Sequence, residues 1–411
     1  MAISTFPLAA PQSGNPGSMG DIRRSNLSLV LGTIAEAAAD VHPSRAQVAS
    51  ATGLTKASVS SLVLDLLDAG LLCEVGGLHS PGRGRPGVGL ILNPCRAVMG
   101  MEINVDYIAA GAVSLSGALL FHEILERDNR SGDHRSVMSA LAELAARVSR
   151  SAAKSGTVIL GGGLALPGIL HTTKRGAVTA PNLGWENLEL DLDLLVPAAP
   201  LGISLSNEAN AAALAESGYG RGVDGDFLFV SGEVGVGGGL IVGRELFTGP
   251  DGSAGEVGHV VVDPFGTACS CGGRGCLETV AGQDAIYAAA GLNDHPGPRT
   301  RSETMSALLR ALHAGDRKAL AAVGRAGFSL GVALASTARV VPIGSVVLGG
   351  HFAVLEPWLH APLFESLQRY APGKFAAGQV FPSNTGTSGA LLGAARGLIQ
   401  ALLEAPHTLQ V

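Results

Sequence analysis

Three cysteines and one histidine lie close together in the second half of the 411-residue chain. The segment EVGHVVVDPFGTACSCGGRGCLE carries His259, Cys269, Cys271 and Cys276. Three thiolates and one imidazole complete the ligand set of a closed tetrahedral zinc site. The alternative is three free thiols beside an unrelated histidine, but the chain has only five cysteines in all. The spacing therefore predicts one structural zinc ion.

Carboxylate and amide side chains flank this segment. Glu256 precedes the histidine by three residues, Glu278 follows the last cysteine by two, and Asn207 and Glu208 follow an earlier apolar run. Such groups suit the hydroxyls of a sugar, because each hydroxyl both donates and accepts a hydrogen bond. For an isolated glutamate a solvated surface position is the better interpretation. A metal loop that fixes two of these glutamates favours a ligand site.

The front of the chain predicts a small helical module that ends in a hairpin. Apolar residues at helical spacing predict a first helix that ends near residue 40. Ser44 and Gln47 fit a capping box for a second helix to about Ala51, and Thr55 can cap a third, which Gly70 ends. Two apolar runs then flank GGLHSPGRGRPG. This is the outline of a winged helix-turn-helix.

The third helix and the hairpin tip carry groups that suit DNA. These candidate contacts are Lys56, Ala57, Ser60, Ser61, Arg83 and Arg85. Small or cationic side chains enter a major groove and contact phosphates, and tip arginines reach phosphate or a narrow minor groove. Residues 21–96 carry a net charge of only +1, which permits DNA binding without proving it. A protein–protein module with solvated polar faces is the alternative.

Residues 97–405 predict an α/β body. Apolar runs that predict strands alternate with helical segments and turn signals at 98–103, 108–113, 158–166, 227–230, 240–242 and 346–348. The 58 glycines suit tight turns between strands and helices. This pattern predicts two lobes, each with a mixed sheet and covering helices, and a cleft for a small molecule between them.

Composition excludes several classes of protein. Hydrophobic residues make up 46% and charged residues 15%, which excludes disorder outside an uncharged tail at 1–20. The longest uncharged stretches, 155–173 and 375–395, are broken by glycine and proline and do not predict a membrane helix. No basic residue precedes the first apolar run, so a secretory signal is not expected. We expect a cytoplasmic protein without a membrane partner, with Cys73 and Cys95 as ordinary core thiols.

Seven short segments occur in an order typical of one family. They are GGGLALPGI, APNLGW, NEANAAALAE, GVGGGLIVG, GSAGEVGH, CSCGGRGCLE and VVLGG. Over about residues 21–400 the chain resembles the ROK family of repressors, open reading frames and sugar kinases. The resemblance implies an N-terminal winged helix-turn-helix at 21–92. It also implies an actin/hexokinase-like two-lobed ROK domain at 97–405, with the zinc loop at 259–278.

The resemblance also implies roles for individual residues. The zinc ligands would be His259, Cys269, Cys271 and Cys276. The sugar contacts would be Asn207, Glu208, Glu256, His259 and Glu278, with Asn182 a weaker candidate. The histidine would then touch both the metal and the sugar.

The segments that bind ATP in kinases of this family differ here. The first phosphate loop is replaced by the stretch from Glu102 to Tyr107, which has neither its glycines nor its Thr-Lys pair. The second loop has lost its hydroxyl and gained the carboxylate of Glu233. A like charge about 4 Å from a phosphate makes the free energy of phosphate binding ~4 kcal/mol less favourable. The catalytic aspartate is replaced by Glu208, a degenerate base one methylene longer. We therefore expect no catalytic residues and no ATP.

These features predict a sugar-responsive regulator, a repressor of carbohydrate uptake or metabolism genes. Its partners would be a double-stranded DNA operator with an inverted repeat and a sugar or sugar phosphate, and it would form a homodimer or homotetramer. Lobe closure on the sugar would reach the DNA-reading heads through residues 90–96. The alternatives are an ATP-dependent sugar kinase with an appended DNA-binding domain, and an interaction protein whose front module binds another protein.

Overall fold

The structure is a computed structural model. It describes residues 19–38, 40–78, 87–130, 133–170, 177–197, 199–220, 223, 225–249, 252–292, 301–376 and 378–409. Arg83, Arg85 and nearly all of the predicted tail at 1–20 lie outside the described residues.

Helices and strands alternate along most of the chain. The helices are α1 Met19–Ala35, α2 Arg45–Thr52, α3 Lys56–Asp68, α4 His134–Lys154, α5 Glu208–Tyr219, α6 Glu278–Ala281, α7 Gln283–Ala289, α8 Arg301–His313, α9 Arg317–Val340, α10 His351–Tyr370 and α11 Gly389–Glu404. The strands are β1 Leu72–Leu78, β2 Gly87–Leu92, β3 Arg96–Ile103, β4 Tyr107–Ser114, β5 Leu119–Glu126, β6 Val158–Leu166, β7 Ile169–Leu170, β8 Ala177–Ala180, β9 Trp185–Glu189, β10 Ile203–Asn207, β11 Phe227–Gly232, β12 Val236–Val242, β13 Glu245–Phe247, β14 Ser345–Gly350 and β15 Val380–Pro382. Every strand predicted from an apolar run is present.

The front module consists of α1–α3 and the antiparallel pair β1–β2. The predicted capping box is confirmed: the Ser44 hydroxyl accepts from the Gln47 amide, and the Gln47 side chain accepts from the Ser44 amide at 2.8 Å. Thr55 caps α3 by accepting from the Ser58 amide at 3.1 Å. Helix α1 ends at Ala35, five residues before the predicted end, because Ile34 is the last large side chain of its buried stripe.

Two five-stranded sheets form the body. The first has the order β10-β6-β3-β4-β5, with β10, β6 and β3 parallel and β3, β4 and β5 antiparallel. The second has the order β13-β12-β11-β14-β15, with β11, β14 and β15 parallel. Helix α4 covers the first sheet, while α6–α10 contribute to the core of the second lobe. The predicted mixed α/β architecture is confirmed.

Helix α11 returns from the second lobe to the first and packs against α5, β6 and β3 at backbone distance. A Cβ atom on Gly393 would lie 1.6 Å from the carbonyl oxygen of Ala211, and one on Gly163 would lie 2.0 Å from that of Ala394. At Gly100 the corresponding distance to the Leu391 carbonyl oxygen is 2.5 Å. No side chain fits in these spaces, so glycine at these positions sets how closely α11 approaches.

The front module is joined to the first lobe by more than the expected link at 90–96. Buried side chains of α1–α3 and of α11, among them Leu31, Leu66 and Leu402, form one continuous apolar cluster. The Ser28 hydroxyl of α1 donates to the Leu403 carbonyl of α11 at 2.9 Å. Helix α11 is therefore a second and wider connection between the lobe and the module.

Helix α9 is, among the described residues, the one helix whose length and composition would allow it to cross a membrane. Of its apolar window, 56% is buried inside the protein, and its apolar face contributes to the core of the second lobe. Such burial is typical of a core helix, so α9 is weak evidence for a membrane span.

The two cysteines outside the predicted zinc loop differ from each other. Cys73 on β1 is half-buried, whereas Cys95 is exposed. Cys95 lies in the turn after β2, where its amide donates to the Asn93 side chain at 2.9 Å. The prediction of a core thiol is therefore wrong for Cys95, because this turn runs along the surface.

Replacement of Gly393 by alanine should lower the free energy of unfolding by about 2–3 kcal/mol, because the new methyl group would overlap the Ala211 carbonyl. Gly397→Ala on the same helix is the matched control, since its nearest neighbour would be 3.9 Å away. The control should leave stability unchanged or raise it by about 0.5–1 kcal/mol. Urea denaturation measures both values, and equal stability of the two variants would contradict the packing described here.

Candidate functional site

The four predicted metal ligands converge on one point. One ligand atom from each of His259, Cys269, Cys271 and Cys276 lies within 4.8 Å of all the others. The sulfur atoms of Cys271 and Cys276 are 3.8 Å apart, and Nδ1 of His259 is 3.7 Å from the sulfur of Cys269. A tetrahedral zinc ion with Zn–S bonds of about 2.3 Å sets its sulfur ligands about 3.8 Å apart. The ligand types and spacing fit zinc.

Glycines allow the loop to fold tightly around these ligands. Gly275 has φ +69°, and a Cβ atom there would lie 1.6 Å from the Asp263 carbonyl oxygen. Gly272 also has positive φ. The Gly273 amide donates to the sulfur of Cys271 at 3.4 Å, and this contact is the main cause of a lowered pKa of the Cys271 thiol. This contact favours the thiolate of Cys271, whereas burial raises the pKa of Cys276 to about 12.

Both predicted glutamates contact the ligand cluster. Nε2 of His259 lies 3.6 Å from the carboxylate of Glu256, while Nδ1 of the same ring faces the sulfur of Cys269. A carboxylate on the second ring nitrogen is the usual arrangement that orients a metal-binding histidine. Glu278 lies 3.8 Å from the sulfur of Cys269, and its other oxygen accepts from the Val236 amide at 3.3 Å. Glu278 therefore links the loop to the start of β12.

The glycine-rich string of β12 allows close packing on both of its faces. Cβ atoms on Gly237 and Gly239 would lie 2.9 and 2.5 Å from the methyl groups of Ala209 and Ala213 on α5. On the other face, one on Gly238 would lie 2.5 Å from the Gly255 carbonyl oxygen, next to Glu256. These contacts place the start of α5, with Glu208, on one side of the strand and the Glu256 segment on the other.

Asn207 has a structural role in addition to any predicted contact with a sugar. Its Oδ1 accepts from the amides of Ala209 and Asn210 at 2.9 and 3.3 Å, which caps α5. Its Nδ2 donates to the Gly168 carbonyl at 3.0 Å. The side chain thus holds the start of α5 against the turn after β6. Asn182, the weaker candidate, is exposed in a 3₁₀ turn before β9.

Three carboxyl groups from different elements are close enough to interact electrostatically; we call Glu102, Glu208 and Glu233 the acidic trio. Glu102 is near the end of β3, Glu208 begins α5, and Glu233 follows β11. Burial, with a further contribution from Glu233, raises the pKa of Glu102 to about 8 despite a 2.6 Å hydrogen bond from the Tyr107 hydroxyl. Burial and then the charges of Glu233 and Glu102 raise the pKa of Glu208 well above its usual value.

The stretch from Glu102 to Tyr107, expected in place of the first phosphate loop, includes a closed turn between β3 and β4. The Asn104 amide donates to the Tyr107 carbonyl at 2.9 Å. From inside the turn, Nδ2 of buried Asn129 donates to the Asn104 carbonyl at 2.6 Å and to the Tyr107 carbonyl at 3.0 Å. These hydrogen bonds satisfy the Asn104 amide and the carbonyl groups of Asn104 and Tyr107 within the protein. A phosphate-binding loop instead presents free backbone amides to its ligand.

The predicted DNA-reading face lies at the start of α3. Lys56, Ala57 and Ser61 are exposed, and the hydroxyl of half-buried Ser60 donates to the Lys56 carbonyl at 2.8 Å. Sequence reasoning missed Arg23 of α1, whose guanidinium lies beside this face. It pairs with Asp65 at 2.5 Å and reaches the Ser61 hydroxyl at 3.4 Å. Arg23 precedes Leu27 by four residues and so lies on the same side of α1 as the buried stripe, which was the available signal.

Known proteins resemble the chain in sequence and fold. The sequence pattern of the ROK family matches residues 98–401. A xylose repressor from Caldicellulosiruptor bescii is 29% identical over 337 residues, which cover 80% of this chain and 83% of that protein. A glucokinase from Halalkalibacterium halodurans is 33% identical over 240 residues, 56% of this chain and 72% of the kinase.

A solved structure resembles the chain over most of its length. The crystal structure of a ROK family transcriptional regulator, a homologue of the E. coli Mlc protein, matches with a TM-score of 0.77 at 24% identity. The match covers 94% of this chain and 98% of the other. At this identity the likeness concerns the fold.

The raised pKa of Glu102 predicts how stability depends on pH. A carboxyl that is protonated when buried and has a pKa near 4.5 when unfolded contributes stability that is lost as pH rises from about 5 to about 8. Glu102→Gln keeps the shape without the charge, so relative to the parent it should gain on the order of 3 kcal/mol between pH 5 and pH 9. Exposed Glu245→Gln is the control, and denaturation across this pH range is the measurement. Parallel profiles for the parent and Glu102→Gln would contradict the assignment.

Proposed function

Because the chain belongs to the ROK family, we propose that it is a sugar-responsive DNA-binding transcriptional regulator, a repressor of genes for carbohydrate uptake or metabolism. One observation carries this proposal. A three-helix and hairpin module shares a continuous apolar core with the lobe that carries Glu102 and Glu208 near the expected phosphate site. The similarity to a xylose repressor over 80% of the chain supports it.

The front module, assigned to residues 21–92, is proposed to read DNA. Its exposed groups at the start of α3, Lys56, Ala57 and Ser61, would enter the major groove, with Ser60 beside them. Arg83 and Arg85, outside the described residues, would contact phosphate or the minor groove from the wing. Arg23 would add a cation at the edge of this face.

The body at 97–405 is proposed to bind a sugar in a cleft supported by zinc. The zinc ion would be held by His259, Cys269, Cys271 and Cys276, and its role would be structural because these four ligands close the shell. The zinc loop would also present the sugar-binding side chains Glu256, His259 and Glu278. Asn207 and Glu208 would complete the site from the start of α5.

The coupling between sugar and DNA is proposed to pass through α5 and α11. The sugar would contact Glu208 at the start of α5, and α5 packs on α11 at backbone distance. Helix α11 in turn shares a core and the Ser28–Leu403 hydrogen bond with α1. Closure of the lobes around a sugar would thereby move the DNA-binding modules. In a cytoplasmic dimer or tetramer, two such modules would bind the two halves of an inverted-repeat operator.

The second candidate function is an ATP-dependent sugar kinase with an appended DNA-binding module. The 33% identity to a glucokinase favours it. The turn between β3 and β4 argues against it, because the Asn104 amide is already bonded to the Tyr107 carbonyl and is not free to bind the phosphates of ATP. Incubation with ATP, magnesium and a panel of sugars separates the two functions, since the regulator yields no sugar phosphate above background.

Zinc content is the first test of the proposal. Protein purified without chelators should carry one zinc per chain, and Cys271→Ser should lose it and melt at a lower temperature, because a structural metal contributes to folding. Cys95→Ser, at an exposed cysteine outside the loop, is the matched control and should retain the metal. Metal analysis with thermal melting measures both effects. Retention of zinc by Cys271→Ser would show that the loop is not the metal site.

DNA binding is the second test. Lys56→Ala should weaken binding to the DNA upstream of the protein's own gene by about 3–10-fold and lower the slope of log affinity against log salt by about 1. Lys318→Ala on α9 removes the same exposed charge far along the chain and should bind as the parent does. Fluorescence anisotropy at several salt concentrations is the measurement. If a chain without residues 1–96 binds this DNA as well as the full chain, the module has been wrongly assigned.

A further inference from the structure

We propose that β5 is a contact between two copies of this chain, which pair antiparallel along its free edge about a two-fold axis at Ile124. This inference rests on the proposed function at one point only, namely that a regulator on an inverted-repeat operator needs two copies. The surface itself is argued from the strand.

Strand β5 is an outer strand of the first sheet. It pairs with β4 on one side, and no strand of the described residues pairs with its other side. It contains neither lysine nor proline, which commonly block the pairing of edge strands. Four of its large aliphatic side chains are exposed, namely Leu119, Leu120, Ile124 and Leu125. An edge strand of this composition is a template for pairing with another chain.

The backbone of β5 directs hydrogen-bonding groups to this free side. The Arg127 amide donates to the Asp106 carbonyl at 3.0 Å. In a regular antiparallel pair, residue 127 and every second residue before it therefore direct their backbone groups toward β4. The amides and carbonyls of His122, Ile124 and Glu126 point the other way. They form a row of donors and acceptors that a second strand can use.

The side chains select one register for this second strand. The pairing of β4 and β5 is regular from Glu126 back to Phe121, where the register shifts. With the axis at Ile124, this side chain meets its own copy, and His122 lies opposite Glu126 of the second copy. An axis at Glu123 would place like charges opposite each other, which is destabilising. An axis at His122 would extend the pairing into the irregular part before Phe121.

The register at Ile124 matches chemistry as well as geometry. It gives three hydrogen-bonded residue pairs, and therefore about six backbone hydrogen bonds between the copies. Ile124, which is 48% exposed in one chain, becomes covered by an identical side chain. A histidine opposite a carboxylate can donate a hydrogen bond whether its ring is neutral or charged. The two five-stranded sheets would then form one ten-stranded sheet.

Disulfide cross-linking of the full-length protein tests this register. Ile124→Cys, made in a Cys95→Ser background, places two thiols on the axis with their Cα atoms about 5.5 Å apart, which a disulfide can bridge. After mild oxidation, about half of the chains or more should migrate as dimers on a non-reducing gel. His122→Cys is the matched control on the same strand. Its two copies would be about 14 Å apart and should cross-link no more than the background does.

Sedimentation analysis tests the contact without new thiols. His122→Glu places carboxylates opposite each other and should raise the dissociation constant of the dimer at least fivefold. Adding Glu126→Lys to that variant restores opposite charges and should recover most of the affinity. Val340→Lys changes a side chain on α9 that is 83% exposed, and should leave the dissociation constant unchanged.

Several outcomes overturn the inference. They are a monomeric parent, cross-linking at His122→Cys rather than at Ile124→Cys, a double variant as weak as His122→Glu alone, and an equal loss in Val340→Lys. Neither measurement involves DNA or sugar. A protein that fails here and still binds its upstream DNA therefore contradicts the contact through β5 and leaves the proposed function standing.

Discussion

The close approach of α11 and α5 to the strands around them is the constraint on which the site depends. Gly163 and Gly393 allow backbone to meet backbone in the first lobe, and Gly237 and Gly239 do the same between α5 and β12. A side chain at any of these positions would push the elements apart, because its Cβ atom would lie only 1.6–2.9 Å from the facing atoms. The glycines thus set the spacing between the sheet edge, the start of α5 and the loop that Glu278 holds.

Two kinds of restraint position the polar groups on this frame. Asn207 uses both ends of its amide to fix the first turn of α5, which places Glu208 at the sheet edge. On the opposite side, the cysteine loop holds Glu278 and orients the His259 ring between sulfur and carboxylate. A structural metal would make this side of the cleft rigid, so a sugar would find part of its site already formed.

Much of the fold and the ligand cluster could be predicted from the sequence. Local signals were sufficient for the capping box at Ser44, the strand at 158–166 and the cysteine loop, because each depends on neighbours within a few residues. The convergence of Glu102, Glu208 and Glu233 could not be predicted from composition or spacing, since it brings together three strand ends far apart in sequence. The packing of α1 against α11 could not be predicted for the same reason. The exposure of Cys95 depends on the path of the turn after β2.

Reciprocal linkage between sugar and DNA tests the central claim most directly. The DNA affinity of the full-length protein is measured with and without a saturating sugar, and the affinity for that sugar is measured with and without saturating upstream DNA. The account predicts that both affinities change by the same factor, about 5–150-fold, because one coupling free energy governs the two sites. If the sugar binds and neither affinity changes, the cleft does not control the DNA-binding module, and the account of this chain as a sugar-responsive regulator is wrong.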